Sequence, residues 1–210
     1  YSRVRTVLKK CVVLPACVYV GTRIERPGKV VQKGGACRIL FGPDPLHPGF
    51  VPGEIVELFQ AAGIESEWTL EIQTEIWKKF IFICALGLVS AAHDKTLGEI
   101  LGDAMLSQEI RAIMKETVSL ATASAVSLPA DMVEIAFSKA RSFPSEAKTS
   151  FQRDFERMDK RDERDLFAGT VMRMGDALGL DVPTTRMLAA ILASRKPMTC
   201  PISGTPSNIS

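Results

Sequence analysis

Hydrophobic spacing changes period once along this chain, near Glu71, and that change constrains the fold more than any other feature. From about Glu71 to about Arg195 apolar residues recur every three or four positions, the repeat of helices that bury one face. Before it, short β-branched and apolar runs alternate with turn residues, which predicts strands. Cys11 to Glu25 is one such run, closed by the turn Arg26-Pro27-Gly28. Lys29 to Gln32 and Cys37 to Phe41 read as two further strands around Gly34-Gly35. A proline-rich loop from Asp44 to Gly53 follows, then an amphipathic helix from Glu54 to Ala62 stopped by Gly63, and a strand from Glu67 to Leu70. The helical part divides into Glu71–His93, Leu97–Leu101, Asp103–Val126, Ala130–Arg141, Ser150–Met158, Glu163–Leu178 and Thr184–Ser194. Pro129, Gly179, Pro183 and Pro197 punctuate these helices at their ends. Met198 to Ser210 is rich in Ser, Pro, Thr and Gly, the composition of a disordered tail.

Within the first long helix, Trp77, Phe80, Ile81, Cys84 and Leu88 form one apolar stripe, and Lys79 falls off it. Its own column holds Ile83 and Gly87 below and Glu75 one turn back. Lys79 therefore either lays its stem over apolar neighbours and pairs with Glu75 at the surface, or its charge serves a function. Gly87 inside a helix costs about 1 kcal/mol relative to alanine, so it marks a place where another backbone or a ligand comes close.

Composition narrows the function classes. The 210 residues are 46% hydrophobic, ample for a packed core, and no run reaches the uncharged length of a membrane span. Net charge is +2 with Lys and Arg spread along the chain, which argues against a nucleic-acid surface. The five cysteines, Cys11, Cys17, Cys37, Cys84 and Cys200, form no C-x-x-C pair, and the odd count favours reduced thiols in a cytoplasm. His47 and His93 have no partner at metal-ligand spacing and read as loop or surface residues, so no metal site is expected. The amino end carries neither an initiator Met nor a signal-peptide core and reads as an internal start.

Several segments, in order, resemble the ketopantoate reductase (2-dehydropantoate 2-reductase) family. Pro15 to Val20, Glu25 to Val30 and Gly34-Gly35 are similar to the last strands of its nucleotide domain. Trp77-Lys78-Lys79-Phe80 resembles the opening of its catalytic helix, and Gly98-Glu99-Ile100-Leu101 the turn after it. Thr149-Ser150-Phe151-Gln152-Arg153-Asp154 is similar to its T-S-M-x-x-D segment, and Glu163 to Gly169 to its E-x-D-x-x-x-G helix start. The resemblance implies an α+β chain: residues 1–70 as the remnant of a Rossmann-type dinucleotide-binding domain, residues 71–196 as a helical domain similar to that of 6-phosphogluconate dehydrogenase, and residues 197–210 as a tail. It further implies NADPH-dependent reduction of ketopantoate to pantoate in pantothenate and coenzyme A synthesis, in the cytoplasm. Lys79 would donate the proton and stabilise the developing oxyanion, Ser150 would bind substrate or else cap its helix, and Glu163 would contact the cofactor or substrate, or else favour its helix dipole.

Two departures accompany the resemblance. The family commonly has asparagines where this chain has Ile83 and Gly87, so either the substrate is a different or bulkier 2-keto acid or other residues replace those contacts. One extra residue separates Ser150 from Glu163, which makes Asp162 the neighbour to test. No G-x-G-x-x-G follows a strand, so NADP would be bound mainly by an amino-terminal part beyond this sequence, and the fragment alone would be inactive. A small 2-keto acid is the expected partner, with no nucleic acid and no membrane. The long amphipathic helices also suit a homodimer through the helical domain, or a non-catalytic association module.

Overall fold

A computed structural model describes residues 1–32, 37–157 and 162–195. The Gly34-Gly35 turn, Met158 and the stretch from Met198 onward fall outside the described residues. The chain forms two compact units, one of Tyr1–Phe80 with Val126–Leu128, the other of Ile81–Ala125 with Pro129–Ser210.

The described residues of the first unit open with a short helix α1 (Ser2–Arg5) and include the strands β1 (Ala16–Tyr19), β2 (Thr22–Arg26), β3 (Lys29–Gln32), β4 (Arg38–Phe41) and β5 (Glu65–Trp68). The predicted run from Cys11 to Glu25 is thus not one strand. It breaks at Val20-Gly21, and its halves join different sheets: β1 pairs antiparallel with β4, whereas β2 and β3 form a separate ribbon turned at Gly28, whose φ is +79°. Strand β5 runs parallel to β4 and begins two positions before the predicted Glu67. Parallel pairing needs a crossover, and α2 (Gly53–Ala61) supplies it. Cys17, Leu40 and Ile72 form the buried centre under this sheet, with Tyr19 and Ile76 packed against them. Gly42 follows β4 because a Cβ there would lie 2.4 Å from Ile72 and 2.5 Å from the Thr69 carbonyl.

Asp44 organises the loop beyond. Its buried carboxylate accepts from the Tyr1 hydroxyl, the Arg5 guanidinium, the Val13 N–H at 2.9 Å, the Leu46 N–H at 3.0 Å and His47 Nδ1 at 2.8 Å. Burial works to raise the carboxyl's pKa, but the hydrogen bonds from Arg5, Tyr1, Val13 and His47 outweigh it and hold the group well below the usual carboxylate range.

The second unit is helical, as the period predicts. Helix α3 (Ile72–His93) begins in the first unit and ends here, followed by α4 (Leu97–Gly102), α5 (Ala104–Ala123), α6 (Met132–Ala140), α7 (Ser150–Glu156), α8 (Thr170–Leu178) and α9 (Pro183–Arg195). Helix α3 is buried all round from Cys84 to Ala92, the signature of a central core helix. By length and composition alone α3 would suffice to cross a membrane, although it carries Glu75, Lys78 and Lys79; 56% of its most apolar 18-residue window lies buried within the protein. Its last turn ends at Asp94 in the left-handed region, and Arg195 Nη1 donates to the carbonyls of Ala91 and Ala92 at 2.6 and 2.8 Å. His93 is the last residue of this helix rather than a loop residue, and its Nε2 lies 2.8 Å from Glu109. Glu116 on α5 caps α9 from a distance: its carboxylate accepts from the N–H groups of Thr184 and Thr185 at 2.7 and 3.1 Å and from Thr185 Oγ1 at 2.6 Å.

Helix α8 is not the continuous α-helix from Glu163 that the spacing predicts. Asp165–Gly169 forms a π-turn ahead of it. Gly169 permits the local packing, since a Cβ there would lie 2.5 Å from Asp165 Oδ1, the atom that receives the Arg173 guanidinium at 2.5 Å.

Candidate active-site residues

Lys79 sits on α3 within the first unit, and its surroundings differ from the simple surface reading. Glu75 pairs instead with Lys78, at 2.9 Å across three residues. That leaves Lys79 to face strand β1, where Nζ donates to the Val18 carbonyl and lies 5.5 Å from the centroid of the Tyr19 ring. A carbonyl oxygen and an aromatic face are both electron-rich, so this surrounding suits a cation. Burial first, and then its hydrogen bond with Cys17, raises the Tyr19 hydroxyl above its ordinary pKa. Val18 and Tyr19 are the neighbours that sequence spacing did not single out. Their strand was legible, but its register against α3 is a tertiary fact.

Gly87 meets neither another backbone nor an open ligand space. The Phe151 ring packs there, 3.3 Å from where a Cβ would sit. Close by, Ser90 Oγ and Thr149 Oγ1 lie 3.1 Å apart, so the start of α7 is fastened to α3 by one apolar and one polar contact.

In the second unit, Ser150 is the first residue of α7 and is exposed. It is not the helix cap. Thr149, in extended conformation, takes that role, with Oγ1 accepting the Gln152 N–H at 3.1 Å. The Ser150 hydroxyl makes no hydrogen bond among the described residues and is open to a ligand. Glu163 is half-buried just before the π-turn, and its carbonyl accepts the Phe167 N–H at 2.9 Å. Its neighbour Asp162 is engaged by Arg164 at 2.8 Å, with both side chains nearly buried. The rings of Phe151 and Phe167 meet edge-to-face at 5.4 Å, which joins the start of α7 to the π-turn. Such turns recur at functional positions because the extra residue re-aims side chains.

Among the described residues no strand, glycine-rich turn and helix combine into a phosphate-binding unit, so these residues do not fit the phosphates of a dinucleotide. The first unit thus offers a held ammonium at Lys79, and the second unit a free hydroxyl at Ser150 and a half-buried Glu163.

This is a predominantly helical domain of the type found in ketopantoate reductase-like structures. The family model described as "Ketopantoate reductase PanE/ApbA C terminal" matches residues 71–196, and the chain belongs to that family. A PanE/ApbA family ketopantoate reductase from Ralstonia eutropha JMP134 is 30% identical with a TM-score of 0.77, over 87% of this chain and 58% of that one. The 2-dehydropantoate 2-reductase from Methylococcus capsulatus is 25% identical with a TM-score of 0.78, over 94% of this chain and 63% of that one. A dimeric ketopantoate reductase from Staphylococcus aureus, 18% identical with a TM-score of 0.76 over 87% of this chain and 61% of its own, shares the fold. The chain therefore spans less than two thirds of the length of these relatives. No curated protein sequence matches it.

Proposed function

We propose that this chain supplies the substrate side of an NADPH-dependent 2-keto acid reductase acting on ketopantoate. The observation that carries this reading is Lys79, on the helix that opens the matched family segment, with its side-chain nitrogen between the Val18 carbonyl and the Tyr19 ring. NADPH supplies the hydride when bound, and the part of the relatives that this chain does not span is assigned its phosphates. Reduction of a keto group creates an alkoxide that needs a proton and a nearby positive charge. Lys79 provides both. Ser150 presents a free hydroxyl that hydrogen-bonds the substrate, and the Glu163 carboxylate contacts the nicotinamide end or the substrate. Residues 1–70 act as the end of the dinucleotide-binding domain and residues 71–196 as the substrate domain, working in the cytoplasm as a homodimer like the Staphylococcus aureus relative.

The test is Lys79→Ala in the full-length parent, followed by loss of NADPH absorbance with ketopantoate. Turnover falls far more than KM rises, because a transition-state contact is removed. Unchanged turnover refutes the role.

A second reading keeps the chemistry and changes the substrate. Ile83 and the Phe151 ring over Gly87 make this stretch of α3 apolar, which favours a 2-keto acid with a different side chain. A keto-acid panel decides it: ketopantoate outcompeting every analogue removes this reading.

A further inference from the structure

We propose that Tyr19 is the positioning residue of Lys79, and that its ring face rather than its hydroxyl holds the ammonium; this rests on the reading of Lys79 given above. Three features converge. The ammonium lies over the ring, 5.5 Å from its centroid. The same ammonium donates to the carbonyl of Val18, the residue next to Tyr19 on β1. The ring itself rests on the buried cluster of Cys17, Leu40 and Ile72, together with Ile76 from one turn earlier on α3. Strand β1 lies at the edge of its sheet, so carbonyls on its outer side have no ladder partner and one is available to the lysine.

A lysine stem has four rotatable bonds and no preferred direction once its partner is gone. Here the quadrupole of an immobilised ring and one carbonyl restrict it from two sides. An aliphatic side chain at position 19 would keep the packing on Cys17 and Leu40 but would offer no negative face. Phenylalanine would keep both.

Reductive ¹³C-methylation of the 210-residue chain reads this directly. The Lys79 methyl resonance, assigned by its loss in Lys79→Arg, is displaced by the ring current from those of the exposed Lys9 and Lys10. Tyr19→Phe keeps the displacement and Tyr19→Leu abolishes it. A Lys79 resonance that coincides with the exposed lysines in the native chain overturns the proposal without any variant, and so does a displacement that survives Tyr19→Leu. In the full-length parent, Tyr19→Leu lowers kcat about tenfold with KM held within about twofold, while Tyr19→Phe leaves both unchanged. Native turnover in Lys79→Ala would refute the catalytic role of Lys79 and leave the ring-current result standing. A catalytic Lys79 with undiminished kcat in Tyr19→Leu would refute the positioning role alone.

Discussion

Replacing Gly87 with alanine sets two effects of known sign against each other. A glycine inside a helix is about 1 kcal/mol worse than alanine, so on propensity alone the substitution stabilises α3. The new Cβ, however, would lie 3.3 Å from Phe151 Cδ1 and 3.5 Å from Phe151 Cβ. Phe151 is 1% exposed, with the rings of Phe155 and Phe167 at 6.1 and 5.4 Å, so it has little room to give. Overpacking of that kind costs about 1–3 kcal/mol, so the net change is a loss of about 0–2 kcal/mol. In a Phe151→Ala background the atom at 3.3 Å is gone, the clash is relieved and the alanine gain returns. The coupling between the two sites is then about 1–3 kcal/mol. Urea denaturation of the four proteins, followed by far-ultraviolet circular dichroism, measures it. If Gly87→Ala raises the midpoint equally in both backgrounds, Phe151 does not pack on Gly87 and the reasoning fails.

Other outcomes follow from the same geometry. Glu116→Ala removes the only described acceptor for the N–H groups of Thr184 and Thr185 and leaves the fully buried Thr185 hydroxyl unpaired, so thermal stability falls by about 2–4 kcal/mol; a melting point within a degree or so of native would refute the cap. Thr149→Ala lowers stability by about 1 kcal/mol, whereas Ser150→Ala leaves it unchanged and raises KM for the keto acid in the full-length parent. The reverse pattern would return the cap to Ser150. Asp44 stays ionised when folded below the pH at which an unfolded aspartate protonates, near about 4. Its contribution is therefore full above that pH and is lost as pH falls from there through the lower folded value. Asp44→Asn flattens the acid limb of the stability curve, and an acid limb identical to native would show that Asp44 does not set it.

Much of the fold is readable from periodicity, because burial imposes it residue by residue. The apolar stripe of α3 and the prolines and glycines at helix ends place the helices of the second unit to within a few residues, except α8, which begins at Thr170 rather than Glu163. The π-turn at Asp165–Gly169 leaves no such trace, since its hydrogen-bond register depends on how Asp165 and Arg173 close over Gly169. The split between β1 and β2 escapes for a related reason: β-branched residues run through it, and only the pairing partners separate the two strands. Among the candidate residues, motif context singles out Lys79, Ser150 and Glu163 by type. It does not single out their neighbours. Whether Lys79 meets Glu75 or Tyr19 is decided by contacts 60 positions apart in the chain (79 minus 19), to which helix spacing is blind.

The Arg195 side chain closes over the last carbonyls of α3 across 103 and 104 residues of chain. The helical unit is thus sealed at its own two extremes, the first helix finished by the last. A chain emerging from the ribosome holds α3 with an unfinished terminus until α9 has been made, so its final ordering waits on a distant contact rather than growing vectorially. For anyone shortening or fusing this protein, the arginine marks a boundary: a cut after Arg195 keeps the seal, and a cut one residue earlier opens a helix that lies a hundred positions away.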